Sequence, residues 1–171
     1  MITFTIPGDP VPQPRPRVST QGGFARAYVP ASHAIHAYRQ EVQLRAKAAG
    51  VKASKETLLV MIFAAFGRPK SHFLKSGLKP TAPAMPRADV DNVAKGILDA
   101  LGELAGNDTC VKTLSVTKDW GDPHTVVVVV PSGEMDFVIR GPNGKTLFCG
   151  HWTGAYGFKR MHGTYGTIQA M

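Results

Sequence analysis

Ile2, Phe4 and Ile6 alternate with Thr3 and Thr5, the two-residue period of a strand with one buried face. Pro7 to Pro16 is rich in proline, which has no N–H and a fixed φ, so this stretch is extended or turning rather than helical. Gln21-Gly22-Gly23 predicts a turn. A helix is expected from His33 to Ala49, with Ser32 as its N-cap and Gly50 as its stop. Its buried stripe is Ile35, Tyr38, Val42, Leu44 and Ala46, while Arg39, Arg45 and Lys47 stay in water. Thr57 to Phe66 is nearly all apolar and is bounded by Gly67 and Pro69, which predicts a strand buried on both faces. Gly67 to Arg87 reads as a long loop, of the kind that usually carries function.

Asp91 to Ala105 carries the strongest helical period. At 100° per residue Val93, Ala94, Ile97, Leu98, Ala100, Leu101 and Leu104 fall on one side, and Asp91, Asn92, Lys95, Asp99 and Glu103 on the other. Gly106-Asn107 ends it. Cys110 to Lys118 is then a strand, Asp119 to His124 a turn, and Thr125 to Val130 the hairpin partner. The β-α-β-α-β-β order predicts an α+β fold, a small mixed β-sheet with helices packed on one face.

The texture changes at Pro131. Of the last 41 residues 8 are Gly and 6 are aromatic, so residues 1–130 are read as the main domain and 131–171 as a C-terminal appendage. Asp136 to Arg140 and Lys145 to Cys149 flank Gly141-Pro142-Asn143-Gly144 and predict a hairpin. His151 to Met171 shows no period.

Composition narrows the class. A chain of 171 residues, 43% hydrophobic, supports one ordinary core. The apolar runs are too short to span a bilayer and the N-terminus lacks the pattern of a signal peptide. Two cysteines, Cys110 and Cys149, make neither a disulfide framework nor a four-ligand zinc site. These features point to a cytoplasmic protein with reduced thiols and no membrane partner. Net charge is +8, unevenly spread: residues 1–88 hold 13 basic and 3 acidic side chains, residues 89–171 hold 7 and 9. A basic half beside an acidic segment suits a phosphate binder with a metal site, although solvated basic surfaces are also common.

The acidic segment carries the candidate chemistry. If residues 89–91 are extended, Asp89 and Asp91 point to the same side, and Lys95 projects from the helix one turn after Asp91. Asp108 follows that helix. Should its strand pack beside the helix entry, three carboxylates and one ammonium converge, a set suited to a hard divalent cation such as Mg²⁺. The same residues admit a plainer reading: Asp91 as an N-cap, Asp89 in a turn, Lys95 as an i,i+4 partner and Asp108 at a strand end. Spacing alone leaves both open.

The longer pattern resembles the RusA family of crossover-junction endodeoxyribonucleases. Pro12-Gln13-Pro14-Arg15-Pro16-Arg17 resembles that family's Pro-x-Pro-x-x-Arg opening. Asp89-Val90-Asp91-Asn92-Val93-Ala94-Lys95-Gly96-Ile97-Leu98-Asp99-Ala100-Leu101 is similar to its D-x-D-N-x-x-K-x-x-x-D-x-L core. Asn107-Asp108-Thr109-Cys110-Val111 stands where it has D-D-x-x-I/V, and Lys118 matches a lysine near the end of the following strand. Asn107 departs from the first acid of that pair, and Arg87-Ala88 from the Lys-Pro that often precedes the first Asp.

The resemblance implies a structure-specific endonuclease that resolves Holliday junctions in recombination and repair by paired nicks leaving 5′-phosphates. Asp89, Asp91 and Asp108 become metal-binding catalytic carboxylates and Lys95 the essential lysine. Mg²⁺, with Mn²⁺ as substitute, is the implied cofactor. The implied assembly is a homodimer on four-way DNA in a bacterial or phage-infected cell. A non-catalytic module of the same fold and a broader fork or flap nuclease are the alternatives.

Arg15 and Arg17 sit in a proline-stiffened strip that limits the entropy lost on meeting phosphates. With Lys79, Arg87 and Lys118 they are the candidate DNA contacts. His33 and His36 lack the ligand count of a metal site and are read as surface or packing residues.

Overall fold

The computed structural model describes residues 1–53, 56–105, 108–131, 135–140, 146–152 and 168–170, with side chains placed in 1–53, 56–102 and 109–131. Four strands form the main sheet: β1 (Ile2–Pro7), β4 (Leu58–Phe66), β7 (Val111–Trp120) and β8 (His124–Pro131), in the order β1-β8-β4-β7. Only the β4–β7 pair is parallel; β8 runs antiparallel to both β1 and β4. Helices α1 (Ile35–Ala48) and α2 (Val90–Ala105) precede β4 and β7 respectively. Two small ribbons stand off this frame, β2 (Arg17–Ser19) with β3 (Arg26–Tyr28), and β5 (Phe73–Leu74) with β6 (Gly77–Leu78).

One core joins helices and sheet. Ile35, Tyr38, Val42 and Ala46 of α1 and Val93, Ala94, Ile97, Ala100 and Leu101 of α2 pack on Phe4, Ile6, Val60, Ile62, Ala64, Val127 and Val129. These strand residues share one parity, so both helices cover one face, as the α+β expectation required. The opposite parity is buried too at Leu59, Met61, Val128 and Val130, matching the unbroken apolar run of β4.

Several boundaries differ from expectation for identifiable reasons. The first helix starts at Ile35 with Ala34 as its N-cap, not Ser32. His33 does the capping work, its Nδ1 accepting the Ile35 N–H at 3.1 Å. The other end closes as expected at Gly50, at φ +88°, with Gly50 N–H on the Lys47 carbonyl and Val51 N–H on the Ala46 carbonyl. This is the Schellman pattern, and buried Val51 seals it. Leu44 is exposed, because it lies off the 35–38–42–46 stripe.

The largest correction concerns β7 and β8. They are consecutive but do not pair, since β4 lies between them. The 121–123 turn crosses the end of β4, where Gly121 N–H bonds the Phe66 carbonyl at 2.9 Å. Short spacing predicts a hairpin, yet the two near-continuous apolar strands, β4 and β8, pair in the centre of the sheet where both faces are covered, and the more polar β7 takes the edge.

Beyond residue 131, β9 (Met135–Arg140) and β10 (Thr146–Trp152) form the expected antiparallel pair. The turn between them lies outside the described residues. β11 (Ile168–Ala170) adds to the other edge of β9, a strand the aperiodic sequence did not announce. No helix among the described residues is long and apolar enough to cross a membrane.

Candidate active site

The site is built where the parallel strands β4 and β7 end, the edge at which open parallel sheets usually receive ligands. α2 begins there. Helix φ/ψ starts at Val90, so Asp89 occupies the N-cap position, its carbonyl accepting the Val93 N–H at 3.1 Å. Asp91 falls in the first turn and is therefore helical, not extended as the alternation argument assumed. Both carboxylates lie at the positive end of the helix dipole, and Lys95 follows Asp91 by four residues on the same face. Asp89, Asp91 and Lys95 are all exposed. Asn92 Nδ2 lies 3.5 Å from Asp89 Oδ2, at the outer limit of a hydrogen bond. Among the described residues neither carboxylate is held in an ion pair.

The proline strip is fastened along this helix. Gln13 N–H donates to the Asn92 carbonyl at 2.8 Å, and Gln13 Oε1 accepts from Arg39 Nη2 at 2.9 Å. Arg39 also bonds Asp99 of α2, so an arginine expected in water clamps α1, α2 and the strip together. Gly96 allows the approach: a Cβ there would sit 3.3 Å from the Val11 carbonyl oxygen and 3.1 Å from Ile35 Cδ1. Sequence reasoning missed Gln13 and Gly96; a glycine inside a strongly periodic helix was the available signal. Arg15 and Arg17, both exposed, extend from the anchored strip, Arg17 opening β2.

The long loop is pinned to the same edge. Trp120 Nε1 and Arg68 Nη1 both donate to the Pro83 carbonyl, at 2.9 and 3.2 Å, and the Arg68 guanidinium lies 5.0 Å from the Trp120 ring centre. His72 meets that ring edge-on at 5.3 Å. Lys79 is half-buried in this loop, while Arg87 is exposed two residues before Asp89. Lys118 reaches from β7 and donates its ammonium to the Ala88 carbonyl.

Asp108 is not brought to this edge within one chain. It opens the 3₁₀ turn Asp108–Cys110, after α2 and before β7. α2 has 16 residues, hence is about 24 Å long at 1.5 Å per residue, and β7 runs the same way back. A helix that crosses between parallel strands carries its two ends to opposite edges, so Asp108 stands roughly 20 Å from Asp89. No cluster of three metal-type ligands occurs among the described residues; the Asp108 side chain is outside them. The donors that are described fit a hard cation: two oxygen-ligand side chains, both exposed and neither held in an ion pair.

An α+β scaffold with paired acids and a lysine at one helix entry, beside an anchored arginine strip, is suited to phosphodiester chemistry. The family model described as endodeoxyribonuclease RusA matches residues 7–130, from the strip through the end of β8, and the chain belongs to that family. It is thus a Holliday-junction endodeoxyribonuclease by family, of a group of nucleases that act on branched DNA and depend on metal. No curated protein matches the chain.

Proposed function

We propose that this protein resolves four-way junctions by Mg²⁺-dependent hydrolysis, as a homodimer that cuts two strands with two equivalent sites. Each site would take Asp89, Asp91 and Lys95 from one subunit and Asp108 of the partner subunit. The observation that carries this reading is the gathering of Asp89, Asp91 and Lys95 at the entry of α2, beside the docked strip of Arg15 and Arg17.

The separation of Asp108 motivates the trans arrangement. If Asp108 of one subunit meets Asp89 of the other, two-fold symmetry repeats the meeting, giving two sites for the two strands of a two-fold junction. Asp89, Asp91 and the trans Asp108 would hold the cation, for which Mn²⁺ can substitute. When bound, that cation supplies Lewis-acid stabilisation of charge on the phosphoryl oxygens. Lys95 places an ammonium beside the scissile phosphate and offsets charge that develops in the transition state. Arg15, Arg17, Arg87 and Lys79 draw the DNA backbone in, and residues 131–171 form an appendage to this nuclease unit. By its family the protein would act in the cytoplasm of a bacterial or phage-infected cell.

Labelled four-way junction, fork, flap and duplex DNA, each with Mg²⁺ or EDTA, test the proposal. Symmetric Mg²⁺-dependent nicking of the junction alone is expected. Cutting of every branched substrate alike would replace it with a broader nuclease, and binding without cleavage with a non-catalytic module. Asp91→Asn should abolish cleavage while keeping or tightening junction binding, because a charge that repels DNA is removed.

A further inference from the structure

We propose that Lys118 is a positioning residue, which sets the direction of the Asp89 carboxylate by holding the peptide that precedes it. The inference rests on the reading of Asp89 as a cation ligand.

On β7, Val116 packs against the core, and Lys118, two residues on, points to the same helix-bearing side. Its registered neighbour on β4 is Ala64, buried in that core. The four-carbon stem of Lys118 thus rises between the sheet and the start of α2, and the half-buried ammonium ends on the Ala88 carbonyl. Ala88 is itself packed against the core.

One residue later the Asp89 carbonyl is taken by Val93 N–H. The peptides on both sides of the Asp89 α-carbon are therefore fixed, one by the helix and one by Lys118. With both peptides held the Asp89 Cα–Cβ bond has one direction, and the carboxylate is left only its own two side-chain torsions to search for the cation. The expectation of Lys118 as a phosphate contact places the same ammonium on DNA; Arg15, Arg17 and Arg87 differ from it in being exposed.

The test compares Lys118→Met, which keeps the stem and loses the donor, with Lys118→Arg, which keeps a cationic donor. Four quantities are read on the full chain: single-turnover cleavage of a saturating junction, junction Kd in Ca²⁺, the salt slope of that Kd, and Mn²⁺ affinity by paramagnetic resonance. Lys118→Met should cut at least tenfold more slowly and bind Mn²⁺ several-fold more weakly. Its Kd should stay within twofold and its salt slope unchanged, and Lys118→Arg should recover part of the rate.

A salt slope smaller by about one with normal cleavage would overturn the proposal in favour of a phosphate contact. Wild-type values throughout would overturn it as well. Should Lys118→Met melt below the assay temperature, Lys118→Gln, which is polar but one bond shorter and so draws its donor back from the Ala88 carbonyl, carries the same comparison. Asp89→Asn separates the two layers of the argument. If that variant cleaves normally, the active-site reading itself has failed. If it is inactive while Lys118→Met keeps full rate and Mn²⁺ affinity, only the positioning role falls.

Discussion

The hydroxyls of Tyr38 and Thr125 share a 2.7 Å hydrogen bond in the core, tying α1 to β8. Burial pushes the Tyr38 phenol up to about 12, against the smaller opposing pull of the Thr125 bond. A raised phenol binds its proton more tightly in the folded state. Its contribution is fully present below pH 10 and is lost as pH climbs from about 10 to about 12. Alkaline urea titrations should show a fall of about 2–3 kcal/mol across that window, absent in Tyr38→Phe. Asp99 makes a second residue-scale prediction. It holds the partly buried Arg39, so Asp99→Asn should cost about 1–2 kcal/mol in urea unfolding, with Arg39 still on Gln13. The burial of Tyr38 was legible from the helical stripe, its bond to Thr125 was not, and nor was the Arg39–Asp99 contact, since a helical wheel puts both on polar faces and cannot show that those faces meet.

At the scale of elements, periodicity carried most of the reading. β1 and α2 were legible because one buried face imposes a period of two or of 3.6. The start of α1 was not, because an imidazole nitrogen replaced the usual hydroxyl cap. The long loop, which its prolines predict to be irregular, holds a 3₁₀ turn, Lys70–His72, and the β5–β6 ribbon. Strand order was hidden as well: β4 between β7 and β8 is a tertiary choice that short spacing argues against. The docking of the proline strip on α2 yields a prediction at this scale. Gly96→Val drives a branched side chain into the Val11 carbonyl and Ile35, so it should destabilise the fold by about 1–3 kcal/mol. Junction affinity should fall several-fold, because Arg15 and Arg17 ride on the displaced strip; mobility-shift titration of the folded variant checks this.

For the whole molecule, two segments of the basic half, the proline strip and the long loop, are both fastened to the edge where α2 begins. About six phosphate contacts predict log K falling with log salt at a slope near −5, which filter-binding titration measures. Residue spacing made the pair of acids and the lysine legible, since they are local to one helix entry. The place of Asp108 was not, because it depends on the length and direction of α2 between parallel strands. The trans site is consequently the claim on which the account rests most heavily. Mixing Asp89→Asn with Asp108→Asn tests it directly, by single-turnover cleavage of a four-way junction. Each variant alone should be inactive. A heterodimer that pools the two mutations in one site keeps the other intact, so the mixture should recover roughly half the heterodimer's share of single-strand nicking. A mixture that exchanges subunits yet stays as dead as its components would contradict the arrangement.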